Sequence, residues 1–202
     1  LVLVDIDGDG LAAMDLPCGL RRHVGSVADE SLWDTIEAEL PRLDHAVINA
    51  GIADGAPIVS QSLEGWQHMH EVNLQGSFLA LRASLRIMQR GSGPRSVVLT
   101  SSVAGVKPLA GTSAYGTTKA AIAHLAKVAA LEHADIRINA IAPGRVQTPI
   151  WTKTGQFRAL VAEHGSEEAA MAALVAEVST EERVAQPEDM AAQIGFLLSD
   201  AA

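Results

Sequence analysis

Ser102, Tyr115 and Lys119 bring a hydroxyl, a phenol and an ammonium close together, within Ser101-Ser102-Val103-Ala104-Gly105 and Tyr115-Gly116-Thr117-Thr118-Lys119. Tyr115 and Lys119 are four residues apart, so they share a helix face if the helix has begun by Tyr115. Thr112 or Ser113, cap-type residues before an Ala-rich run, predict that start. A phenol with a pKa of about 10 is a poor base near neutrality, and a cation beside it favours the phenolate. Ser102 can donate a hydrogen bond to a substrate oxygen as negative charge develops there, or accept one from an alcohol. The three groups describe an acid–base device for an alcohol/ketone pair. The plainer alternative is a surface Tyr–Lys pair with Ser102 as a turn residue.

Other candidates stand at similar places. Asn49-Ala50-Gly51 follows the apolar run Ala46-Val47-Ile48, and its small residues let a flat ligand approach the backbone. Pro143-Gly144 follows Ile138-Asn139-Ala140-Ile141-Ala142 as a rigid turn that could present backbone groups, with Thr148 close behind. Asn73 interrupts a helical stretch between Val72 and Leu74. A buried amide there needs partners, and a bent helix holding a water next to Lys119 would supply one. Asp5 ends the first strand, where a carboxylate could accept both hydroxyls of an adenosine ribose. His68 and His70 are two apart and face different ways on a helix, and no other histidine has ligand spacing, so no metal site is expected. Trp33 and Trp66 read as packing residues, and Trp151 as a wall of a substrate site.

The elements that must position these groups alternate. Strands are expected at Leu1–Asp5, Leu20–Gly25, Leu43–Asn49, Ser96–Ser101 and Ile136–Ala142. Helices are expected at Glu30–Leu40, Gly65–Arg90, Ser113–His133 and Glu188–Leu198. Strands spaced by helices of this length indicate βαβ units and a parallel sheet covered on both faces. Such open sheets bind ligands beyond the carboxyl ends of their strands, where Asp5, Asn49-Ala50-Gly51, Ser102 and Pro143-Gly144 lie. Residues 150 to 180 read as an excursion with one or two short helices within a single domain spanning 1–202.

Composition narrows the partners. A chain of 202 residues with 48% hydrophobic residues can bury a substantial core. The net charge of -9, with basic residues scattered, disfavours nucleic acid and anionic membrane as partners. No apolar run reaches the length of a membrane span. Cys18 is the one cysteine, so no intrachain disulfide can form and a reducing, cytoplasmic setting is expected.

Taken together, Asn49-Ala50-Gly51, Asn73, Ser102 thirteen residues before Tyr115, Lys119, Asn139, Pro143-Gly144 with Thr148, and the late run Arg183 to Ala191 resemble the classical short-chain dehydrogenase/reductase family over almost the whole chain. The resemblance implies an α/β fold with a Rossmann-like doubly wound parallel sheet. It makes Tyr115 the acid–base catalyst, Ser102 the group that orients the substrate oxygen, and Lys119 the residue that lowers the Tyr115 pKa and binds the nicotinamide ribose. Asn73 would hold the proton-relay water. Asn49, Ala50 and Gly51 would line the cofactor, and Pro143, Gly144, Val146 and Thr148 would bracket its nicotinamide end. Asp5 matches the acidic residue that selects NAD over NADP, with Arg21 and Arg22 as the residues that folding could bring near.

Three departures from the family pattern shape the expectation. The glycine-rich turn and first strand are missing, and so is the last strand. Ser26-Val27 stands where the family usually has Asp before Val, which alters an adenine contact. The absent first strand sits centrally in the family's sheet, so an internal gap or an abnormal pairing is expected, and the chain reads as the core of a longer enzyme. The expected activity is hydride transfer between NAD(H) and a secondary alcohol or ketone, largely apolar or ring-shaped. An NADPH-dependent 3-oxoacyl thioester reductase and an inert interaction protein are the alternatives. Family members pair such long helices, which implies a homodimer or homotetramer.

Overall fold

The computed structural model describes residues 1–150, 154–176 and 184–202. Trp151 and Arg183, named above, lie outside these. The order is β1 (Val2–Asp5), α1 (Gly8–Ala13), β2 (Arg21–Val24), α2 (Glu30–Glu39), β3 (His45–Ile48), α3 (Leu63–Met69), α4 (Gly76–Met88), β4 (Ser96–Thr100), α5 (Ser113–Glu132), β5 (Arg137–Ile141), α6 (Gly155–His164), α7 (Glu167–Ala176) and α8 (Pro187–Leu198). All strand pairs are parallel, and the fold is Rossmann-like. Two short 3₁₀ turns, Ile58–Ser60 and Val103–Gly105, were not expected from periodicity because each is only three residues long. The short α1 was not expected either. Its Gly-Asp-Gly start is a poor helix former, but Asp7 caps Gly10 N and Leu11 is buried beneath it.

The strands form two sheets, β1-β2 and β3-β4-β5, rather than one. This is the internal gap expected from the sequence: among the described residues β1 pairs only with β2, and β3 only with β4. Both sheets nevertheless feed one hydrophobic cluster. Val97 and Leu99 of β4 meet Leu79, Leu81 and Leu85 of α4 and Ile122 of α5, with Val4 of β1 packed against them. Ser96 on the opposite face of β4 donates to Leu198 O at the end of α8. The central strand is thus covered on both sides, which explains its apolar run.

Register sets the site. His45, Ser96 and Arg137 align across the three strands, so β3, β4 and β5 run out at the same edge. Asn49-Ala50-Gly51, Ser101-Ser102 and Ala142-Pro143-Gly144 therefore leave the sheet side by side. The helical stretch expected over Gly65–Arg90 is interrupted: His70–Gln75 winds as a π-helix between α3 and α4, with Asn73 inside it. The amide at 73 is the physical reason, because its side chain is tied to a neighbouring loop.

Candidate active site

Ser102 begins the 3₁₀ turn after β4 with an extended backbone, and its hydroxyl accepts from Ala104 N at 3.2 Å. With that lone pair engaged, its O–H remains for a substrate oxygen or for Tyr115. Gly105, at the end of the turn, packs against α5 so closely that a β-carbon would lie 2.6 Å from Ala120 N. Gly116, in the first turn of α5, likewise approaches Ala104 O, at 2.9 Å from where a β-carbon would stand. These two glycines let the Ser102 turn and the Tyr115 turn touch. Spacing alone does not give them this role, although a glycine directly after Tyr115 in a helix carries a cost that signals packing.

Lys119 is 4% exposed, and its Nζ donates to Thr100 O at 2.9 Å, at the end of β4. Its ammonium stands 5.7 Å from the Tyr115 ring centroid. Ser101 Oγ fixes the backbone beneath it by donating to Lys119 O at 2.7 Å. Asn73 is fully buried and clamps the loop after β3: Oδ1 accepts from Ile52 N at 2.8 Å and Nδ2 donates to Ile52 O at 2.9 Å. A β-carbon on Gly51 would lie 3.1 Å from Asn73 Oδ1 and 3.4 Å from Lys119 Nζ, so Gly51 leaves the spot between them clear.

The pKa directions differ from the simple Tyr–Lys expectation. Burial pushes the Tyr115 phenol up, and the hydrogen bond from Ser102 only partly offsets it. Burial also lowers Lys119 from 10.5 to about 8, which weakens it as a cation. The cation effect therefore does not dominate in the protein alone. Lys119 keeps its proton to higher pH in the unfolded chain than in the fold. Between those values the unfolded state binds more protons, so stability climbs as pH rises from about 8 to 10.5. Lys119→Met is expected to relieve the cost of the buried charge at pH 7, offset in part by the lost hydrogen bond to Thr100 O. It should also remove that climb, as urea midpoints at neutral and alkaline pH would show.

The remaining predicted residues fall into two groups. Pro143 joins the centre, because its carbonyl accepts from Val103 N at 2.9 Å, beside Ser102. Gly144 follows with open space where a β-carbon would go. Val146 bridges to Ala185, and Thr148 stands half-buried in the bend beyond it. Asn49 is exposed and Ala50 half-buried, between β3 and Gly51.

Asp5, Ser26 and Val27 stand apart, at the carboxyl ends of β1 and β2. Asp5 is exposed, its carboxylate accepting from Asp7 N at 3.0 Å. Ser26 Oγ accepts from Ala28 N, and the Val27 side chain packs over Gly76. Arg21 and Arg22 are occupied elsewhere: Arg21 donates to Glu39 O, and Arg22 to Leu11 O and Met14 O at the end of α1. Register pairs Arg21 with Val2 and Arg22 with Leu3, at the start of the sheet rather than beside Asp5. Trp33 is buried and donates to Val27 O, and Trp66 stacks on His70, so both pack as expected. Among the described residues no three His, Cys, Asp or Glu side chains come together. Among them, too, no helix is long and apolar enough to cross a membrane.

A family model described as Enoyl-(Acyl carrier protein) reductase matches residues 26–202. The chain belongs to the classical short-chain dehydrogenase/reductase family. It is 36% identical over 175 residues to cis-4-hydroxycyclohexanecarboxylate dehydrogenase of Sinomonas cyclohexanicum, covering 85% of this chain and 65% of that protein. It is 35% identical over 130 residues to cyclopentanol dehydrogenase of a Comamonas species, covering 61% of this chain and 52% of that one. The crystal structure of carveol dehydrogenase from Mycobacterium avium in complex with NAD superposes with a TM-score of 0.84 at 26% identity, over 98% of this chain and 81% of that one. The chain thus spans less than two thirds of the length of these two curated relatives.

Proposed function

We propose that this family member is an NAD-dependent oxidoreductase of ring-shaped secondary alcohols and ketones, with Tyr115 as its general acid–base. The observation that carries the proposal is the joining of the Ser102 turn to the first turn of α5, with buried Lys119 behind it. In alcohol oxidation the Ser102 O–H and the Tyr115 oxygen hold the substrate hydroxyl, and Tyr115 takes its proton. Gly51, with no side chain, would leave room for a nicotinamide cofactor, which when bound would supply the hydride acceptor and a positive charge favouring the phenolate that burial disfavours. Lys119 would hold the ribose of that group and pass the proton on, and Asn73 would keep a relay water beside Lys119. Pro143, Gly144, Val146 and Thr148 border the ring, and Asn49 and Ala50 the middle of the cofactor. Ser26 and Val27 border the adenine. The exposed Val103, Val106 and Leu109 beside Ser102 suit an apolar ring, as do the names of the cyclohexane and cyclopentanol relatives.

Asp5 favours NAD, since a ribose phosphate would face its charge, and Arg21 and Arg22 stand at the other end of the sheet, held by helix-end carbonyls. Asp5→Ser is expected to lower the NAD-over-NADP preference by at least about tenfold, read as the ratio of kcat/KM values. A reductase of 3-oxoacyl thioesters using NADPH is the second reading, favoured by exposed Lys107, which suits an anionic group, and by the acyl-carrier substrate in the name of the matched family model. One assay separates them: cyclohexanol with NAD against an acetoacetyl thioester with NADPH. Faster turnover of the thioester would displace the first reading. The exposed Phe78, Val128 and Leu131 on α4 and α5 support a homodimer or homotetramer, and exposed Cys18 suits a reducing cytoplasm.

A further inference from the structure

Thr118 is fully buried in α5, three residues after Tyr115 and directly before Lys119. A β-branched polar residue is a weak choice for a helix interior, and a buried hydroxyl costs free energy unless it is hydrogen-bonded. Valine would fill the same volume without a polar atom. The hydroxyl is used twice. Thr118 Oγ1 donates to Tyr115 O at 2.7 Å and accepts from Asn73 Nδ2 at 3.3 Å. The Tyr115 carbonyl is also the one that the helix ladder offers to Lys119 N–H, four residues on. One hydroxyl therefore grips the peptide unit that connects both reactive side chains, and ties it to the π-helix. Through Asn73 the tie continues to both backbone groups of Ile52, next to Gly51.

We propose that Thr118 is a positioning residue whose hydroxyl, bridging the Tyr115 carbonyl and the Asn73 amide, sets where the phenol stands relative to Ser102. It acts through Tyr115 and does not itself reach the reacting atoms. As a role in catalysis it rests on the acid–base reading of Tyr115, but its geometric part can be tested without turnover. Tyr115 is the one tyrosine of the sequence, so phenolate absorbance during a pH titration reports this phenol alone.

The experiment compares the wild type, Thr118→Val and Thr118→Ser by that titration and by NAD-dependent oxidation of cyclohexanol. In the valine variant the phenol drifts from the Ser102 hydroxyl, whose approach favours its ionised form. Its titration midpoint should move up, and kcat should fall about tenfold. The serine variant restores the hydroxyl and should return both readings to wild type, which a purely space-filling role would not require. If the valine variant does not fold, Thr118→Ala makes the same comparison. A valine variant with unchanged midpoint and kcat, or a serine variant that follows valine, overturns the proposal. A wild type that oxidises no secondary alcohol, while the midpoint still shifts in valine and returns in serine, overturns the oxidoreductase reading and upholds the positioning by Thr118.

Discussion

Tyr115→Phe is expected to lower kcat for alcohol oxidation by about 10³-fold, within the range that a positioned general acid–base group contributes. The variant should keep its fold. The ring stays packed at the start of α5, and the hydroxyl it loses is half-buried, in surroundings that already disfavour its ionised form. The KM for the cofactor should change little, because Lys119 and the Gly51 backbone are untouched. Steady-state kinetics beside a melting curve makes the measurement. A variant that retains activity within about tenfold of wild type would remove Tyr115 from proton transfer.

Gly105→Ala is expected to damage both stability and rate. The added methyl would lie 2.6 Å from Ala120 N and 2.6 Å from the Lys119 carbonyl carbon, both backbone atoms that cannot rotate away. The 3₁₀ turn must then lift off α5, at a cost of about 1–3 kcal/mol or more. That movement separates Ser102 from Tyr115, and a misplacement of about 1 Å is enough to cost roughly 10²-fold in rate. Urea denaturation and kcat on the same preparation should both show the loss. Wild-type behaviour in both would mean that the close approach of the turn to the helix does not hold the site together.

Much of this centre was legible because its residues announce their chemistry by type and spacing. Tyr115 and Lys119 lie at helical spacing in an Ala-rich run, and the apolar runs ending at Ile48, Thr100 and Ile141 form parallel strands, of which β4 is the one buried almost throughout. Asn73 could be read as a break in a helix, since a buried amide demands partners. Its partners were not legible, because Ile52 offers only backbone groups that any residue type would carry. The same holds for Lys119, which is held by the Thr100 carbonyl rather than by a side chain. Gly105 and Gly116 were missed because their contribution is an absence of atoms, visible only once two elements are brought together. The direction of the Tyr115 shift was misjudged for a related reason: spacing reveals a neighbouring charge, whereas desolvation depends on everything packed around the ring.

The central claim is that hydride leaves the carbinol carbon while its hydroxyl proton goes to Tyr115. It is tested most directly with cyclohexanol carrying deuterium on the carbinol carbon, followed by mass analysis of the nicotinamide product. The account predicts cyclohexanone together with reduced NAD that has gained the deuterium. Reduced NAD without the label, or no reduction across a panel of ring alcohols, would contradict it.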